Sequence, residues 1–120
     1  KGKNLENAVF IELLHQKARN PLAEIFYWRD HTKREVDFVV MQSRAVRELI
    51  QVCDRVDDFR VKERETRALT GASEELRCNS LSVITFDYEK EETINGKKVV
   101  FKPLWKWLIE EDGNERHKKP

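Results

Sequence analysis

Residues 81–86 read Leu-Ser-Val-Ile-Thr-Phe, a short run that is apolar on both faces and follows a stretch, Phe59 to Leu76, with the pattern of a helix. A strand with apolar side chains on both sides needs cover on both sides, which places it inside a helix-flanked sheet. A helix of that length is also long enough for a crossover, so the run is expected to lie parallel to the strand before the helix, by a right-handed connection. The chain is therefore expected to be an α/β domain.

The other elements fit around that strand. From Asn4 to about Ala18, the residues Leu5, Ala8, Val9, Glu12 and Leu13 recur at helical spacing, widened by Phe10, Ile11 and Leu14. Asn20-Pro21 ends this helix. Three strands follow on short turns: Glu24–Arg29, Arg34–Met41 and Ala45–Cys53. Their tight connections favour antiparallel neighbours. Asp57-Asp58 can cap the helix that begins near Phe59. After residue 86, Asn95-Gly96 between Glu92-Thr93-Ile94 and Val99-Val100-Phe101 signals a hairpin. Pro103 opens a last helix with Trp105, Leu108 and Ile109 on its core side, and Trp107 toward a contact surface. Residues 1–111 form one domain on this reading, and 112–120 a polar, frayed tail.

Composition limits the functions open to such a domain. Charged residues make up 38% of the 120, against about 25% in an average domain. This suits a dense ionic surface of the kind found at high temperature. The net charge is only +1, so binding to phosphate would need local clustering of Lys and Arg. The two cysteines, Cys53 and Cys78, lie in apolar surroundings and read as buried thiols in a cytoplasmic protein. No apolar run approaches the roughly 20 residues that cross a membrane, so no membrane partner is expected. There is no Gly-x-x-x-x-Gly-Lys-Ser/Thr run, so nucleotide hydrolysis is not expected in this stretch. The chain opens with Lys1-Gly2-Lys3-Asn4-Leu5-Glu6, already entering a helix, and reads as a domain excised from a longer protein.

The order α-β-β-β-α-β, with Glu6 in the first helix, Asp37 in Glu-Val-Asp-Phe-Val-Val and a third strand ending Leu-Ile-Gln-Val-Cys, resembles the restriction-endonuclease-like superfamily. More closely, the run from Gly-Lys-Asn-Leu-Glu-Asn through Arg-Glu-Val-Asp-Phe-Val-Val to Ile-Asn-Gly-Lys-Lys-Val-Val-Phe-Lys-Pro-Leu-Trp-Lys-Trp-Leu resembles an uncharacterised C-terminal domain of archaeal and bacterial P-loop ATPases. The resemblance covers nearly the whole chain. It implies a restriction-endonuclease-like core of mixed sheet with an added C-terminal hairpin and helix, and a P-loop ATPase domain as partner in the same full-length chain. It also implies a catalytic site with an Asp on the second strand and Glu-x-Lys on the third. There, carboxylates hold Mg²⁺ or Mn²⁺ and the Lys orients the attacking water.

By position, Asp37 is the strand carboxylate and Glu6 the helix carboxylate, while Gln51 and Cys53 stand where the signature has Glu and Lys. An amide brings no charge to a hard cation, and a thiol is a poor substitute for an ammonium. The expectation is a degenerate site that binds no cofactor tightly, in a non-catalytic domain that interacts with protein or DNA. Gln51 is expected to hydrogen-bond Asp37, and Cys53 to be core. The alternative is an active Mg²⁺- or Mn²⁺-dependent deoxyribonuclease with a relocated cation, for which Lys33, Arg55 and Lys62 are candidates. Asp37 could also simply pair with Arg34 or Arg47 at the surface, and Glu6 could serve the dipole of its helix.

Other groupings carry less. Cys53, Cys78, His15, His31 and His117 lack the short spacings of a zinc site. Tyr27, Trp28, Trp105 and Trp107 could stack bases, but core packing explains Trp105 better. Arg60, Lys62, Arg64 and Arg67 alternate with Glu63 and Glu65 as a solvated helix face. Lys97, Lys98 and Lys102 gather near the hairpin and could touch a phosphate backbone, or could equally protect a sheet edge from pairing.

Overall fold

A computed structural model describes the backbone of residues 2–118 and the side chains of residues 3–111. The elements are α1 (Gly2–Arg19), β1 (Ala23–Arg29), β2 (Glu35–Gln42), β3 (Ala45–Val52), α2 (Phe59–Leu76), β4 (Leu81–Thr85), β5 (Lys90–Ile94), β6 (Lys97–Pro103) and α3 (Leu104–Lys118). The strands form one six-stranded mixed sheet in the order β1-β2-β3-β4-β6-β5. The first three are antiparallel neighbours. β4 lies parallel to β3 on one side and to β6 on the other, and all five of its residues are buried. This is the mixed α/β architecture expected from the apolar run. Phe86 lies just past the strand and is exposed. No helix among the described residues is long and apolar enough to cross a membrane.

Two apolar clusters divide the core. One contains Val39, Leu49, Cys53, Leu69 and Val83, under α2. The other contains Val9, Leu13, Phe38, Ile50 and Trp107, under α1 and α3. Alternation along β3 thus sends Leu49, Gln51 and Cys53 toward α2, and Ile50 and Val52 to the opposite face.

Local chemistry explains the ends of the elements. Asp58 caps α2, its carboxylate accepting from the N–H groups of Arg60 and Val61. Arg77 closes the helix in the left-handed region. Asn95 and Gly96 have φ of 52° and 76°, the geometry of a two-residue type I′ hairpin turn. Ser43 and Arg44 make the same turn between β2 and β3 at φ of 53° and 71° without a glycine.

The structure corrects the expected helix faces. In α1 the buried apolar residues are Leu5, Val9 and Leu13, while Phe10, Ile11 and Leu14 are largely exposed. Phe10 keeps a stacked contact with Phe38, with ring centroids 6.0 Å apart. In α3 Trp107 is 1% exposed and Trp105 59% exposed, the reverse of expectation. Leu104, Trp107 and Leu108 share a face at i, i+3 and i+4, and so do Trp105, Leu108 and Ile109. The helix starts at Leu104, and that start turns the first set inward. The proposed tail, residues 112–120, lies outside the described side chains; its backbone to Lys118 belongs to α3.

Candidate functional site

The site begins with a bulge. β1 and β2 pair Phe26 with Val39 and Trp28 with Val36, so Tyr27 faces two residues, Asp37 and Phe38. A bulge re-aims a side chain, and here it coincides with the point where β2 and β3 part. Their register runs back as far as Phe38 opposite Ile50 and stops. Beyond it, side chains replace the backbone ladder. The Asp37 N–H donates to Gln51 Oε1 at 2.8 Å, and the Val52 N–H donates to Asp37 Oδ2 at 2.8 Å.

Gln51 completes the fork. Its Nε2 donates to the carbonyl oxygens of Glu35 at 2.9 Å and Glu65 at 3.0 Å. One fully buried amide, 0% exposed, thereby ties β2, β3 and α2 together. Both amide hydrogens are used, and the oxygen accepts from Asp37. The expected link between Gln51 and Asp37 is present, although it runs to the backbone of Asp37 rather than to its carboxylate.

Carboxylates crowd around this fork. Burial pushes the Asp37 carboxyl up to about 7, and the charges of Glu65, Glu6 and Glu35 push the same way against the Val52 N–H. Burial also raises Glu65, opposed by Arg64 at 3.5 Å. Cys53 lies 2% exposed, its thiol pushed up by burial, so it supplies neither a cation nor a thiolate. Asp37 opens into a cleft of about 520 Å³ lined also by Lys33, Arg34, Glu35, Arg64 and Glu65. The turn that presents Lys33 and Arg34 is held by Asp30 Oδ1, which accepts from the N–H groups of Thr32 and Arg34 at 2.9 Å.

A raised carboxyl binds protons better folded than unfolded, so its contribution to stability is full below pH 4 and is lost as pH rises toward about 7. Glu48, raised to about 7 by burial and by Glu111, acts in the same sense. Asp37→Asn keeps an oxygen for the Val52 N–H and removes the charge. We expect it to be more stable than the wild type at pH 8, by about 2–4 kcal/mol, and the difference to vanish near pH 4. Thermal unfolding of both proteins from pH 4 to 8 checks this; parallel profiles would contradict it.

Other candidates lie elsewhere. Lys62 is bound at 2.8 Å to Glu92 and sits over the rings of Tyr88 and Phe101. Of the proposed stand-in cations, Lys33 lines the Asp37 cleft. Each hairpin lysine stands beside a different carboxylate: Lys97 with Glu74 at 3.6 Å, Lys98 with Glu91 at 3.6 Å and Lys102 with Glu110 at 2.5 Å. Each of these charges is thus partly offset by its own neighbour. Sequence reasoning missed Glu35, Glu65 and Arg64 at the cleft. Glu65 and Arg64 belong to an alternating charge pattern that looks solvated, and only the docking of α2 brings them beside Asp37.

An implied Mg²⁺ or Mn²⁺ would need several oxygen donors in an octahedron. Gln51 brings no charge and its oxygen already accepts from the Asp37 N–H, Asp37 Oδ2 already accepts from the backbone, and Cys53 is a buried thiol. Among the described residues no three His, Cys, Asp or Glu side chains are grouped so as to hold a metal ion. The donors do not fit that cation. Comparison with known proteins matches residues 1–107 to the family described as "Domain of unknown function (DUF4143)". Comparison with curated proteins gives no match.

Proposed function

The chain belongs to the DUF4143 family, and from that premise we propose that it is a non-catalytic accessory domain of a P-loop ATPase. On this reading it is a degenerate restriction-endonuclease-like fold that acts by binding a partner. The observation that carries the proposal is the Gln51 amide, whose donors and acceptor all engage backbone groups in the interior. A neutral residue spent on joining two strands and a helix brings neither charge nor a free donor to a metal or a scissile phosphate. Its neighbour in the signature, Cys53, is sealed in the apolar cluster under α2. The ATPase partner and the superfamily ancestry rest on the resemblance of the whole run from Gly2 to Leu108.

A second reading has one observation in its favour: Lys33 lines the same cleft as Asp37, Glu35 and Glu65. It makes the domain a metal-dependent deoxyribonuclease with a relocated cation. Calorimetric titration with Mg²⁺ and Mn²⁺ and incubation with supercoiled and branched DNA separate the two. The accessory reading expects no micromolar metal site and no nicking above that of Asp37→Ala. Nicking by the wild type that disappears in both Asp37→Ala and Lys33→Ala would establish the nuclease instead.

A further inference from the structure

A second hollow, of about 340 Å³, lies on the outer side of α2 and shares Arg34 with the Asp37 cleft. Arg67, Gly71 and Glu74 form its floor at i, i+4 and i+7, and Asn95 and Lys97 of the β5–β6 hairpin form a wall. Gly71 leaves room beside the Arg34 guanidinium: a Cβ there would rest in ordinary contact, 3.5 Å from one of its nitrogens. Any longer side chain would fill the space that this guanidinium occupies. The wall is held as well, since Asn95 Nδ2 donates to Thr70 Oγ1 at 3.1 Å. The hollow is therefore shaped by the fold.

Its lining is basic, with Arg34, Arg67 and Lys97 beside one carboxylate, Glu74. The lysines around the hairpin each have a carboxylate partner. No ion pair joins Arg34 or Arg67 to a carboxylate among the described residues, yet both converge on one hollow with Lys97. Glu74 offsets one of these three charges, through Lys97 at 3.6 Å. Asp30 feels the charge of Arg34, and the positive charge left over in the hollow favours an anion there.

We propose that this hollow binds the phosphodiester backbone of a nucleic acid, without reading its sequence. The proposal rests on the interaction reading above and names its partner. Guanidinium groups present paired donors that match phosphate oxygens. A peptide partner would be anchored by aromatic or aliphatic side chains in an apolar pocket, and the lining of the hollow has none. Nor does it hold an aromatic ring on which a base could stack. What it offers is charge and hydrogen-bond donors, the chemistry of backbone contacts that position a nucleic acid rather than read it.

Fluorescence anisotropy with a labelled 20-base-pair duplex and a labelled 20-mer of oligodeoxythymidine, over a NaCl series, tests the assignment. The slope of log K against log salt should lie near −2, as expected for two to three neutralised phosphates at about 0.7–0.9 each. Arg34→Ala and Arg67→Ala should each weaken binding about tenfold in low salt and flatten the slope by about one. Gly71→Leu leaves every charge in place and favours the helix, and it should weaken binding as much by filling the hollow. Lys98→Ala should bind like the wild type. Matching circular dichroism melts keep a folding defect from imitating these losses.

Absence of binding, or variants that bind as the wild type does, would overturn the assignment. Competition by poly-L-glutamate equal to that by oligonucleotide of matched charge would also overturn it, in favour of an acidic protein partner. Cleavage of either probe that Asp37→Ala abolishes would refute the accessory reading and leave the hollow's ligand standing.

Discussion

Gln51→Leu is expected to cost about 3–5 kcal/mol of folding stability, a large share of the roughly 5–15 kcal/mol that holds a domain together. The leucine fills much of the same space but leaves two backbone groups without partners, the Asp37 N–H and the Glu35 carbonyl, and strips a second donor from the Glu65 carbonyl, which keeps its bond inside α2. Each orphaned buried group costs about 1–3 kcal/mol, and access to the neighbouring cleft lets water relieve part of the loss. The midpoint should fall by about 10–20 °C, as read by thermal or urea unfolding.

Gln51→Glu is the sharper test, because it places an acid where the signature implied by the resemblance has one. A carboxylate there would face two carbonyl oxygens that now receive N–H donors. The buried acid would have a raised pKa, so its penalty should be smaller near pH 5 and larger near pH 8. Adding Mg²⁺ should not return the lost midpoint. A clear rise with Mg²⁺ in Gln51→Glu, absent from the wild type, would mean that the fork can still receive a metal and that the residue at 51 is a replaceable ligand rather than a strut.

Trp107→Ala should be comparably damaging, at about 3–5 kcal/mol, because it removes the largest fully buried side chain. Trp105→Ala, on the exposed side of the same helix, should stay within about 0.5 kcal/mol. Trp107→Phe gives a finer test. The indole Nε1–H is buried with no partner among the described residues, so phenylalanine removes an unsatisfied donor along with some volume. Its loss should be well below that of alanine. Equal losses for Trp105→Ala and Trp107→Ala would show that α3 is rotated on the sheet.

That pair of tryptophans shows where sequence pattern runs out. Residues 104–109 are apolar almost throughout, so two helical stripes fit equally well, and both contain Leu108. Periodicity alone cannot choose between them; the point at which β6 releases the chain does. In α1 the apolar stripe is wider than the surface it meets, so Phe10, Ile11 and Leu14 look like core and remain exposed. Glu65 was legible as a charge and not as a neighbour of Asp37, because α2 and the stretch from Thr32 to Asp37 that make the cleft are distant in sequence.

Local chemistry determined the strands, their turns and the parallel placement of β4, since short apolar runs, Asn-Gly and an Asp cap act on the residues beside them. The family resemblance, rather than local chemistry, drew attention to Asp37, Gln51 and Cys53. Tertiary structure decided what those side chains do. A bulge and a fork between two strands set the direction of Asp37, and α2 supplies the carbonyl that uses up the Gln51 amide. The hollow over Gly71 is likewise a product of packing, because its arginines, glycine and hairpin wall come from three separate parts of the chain.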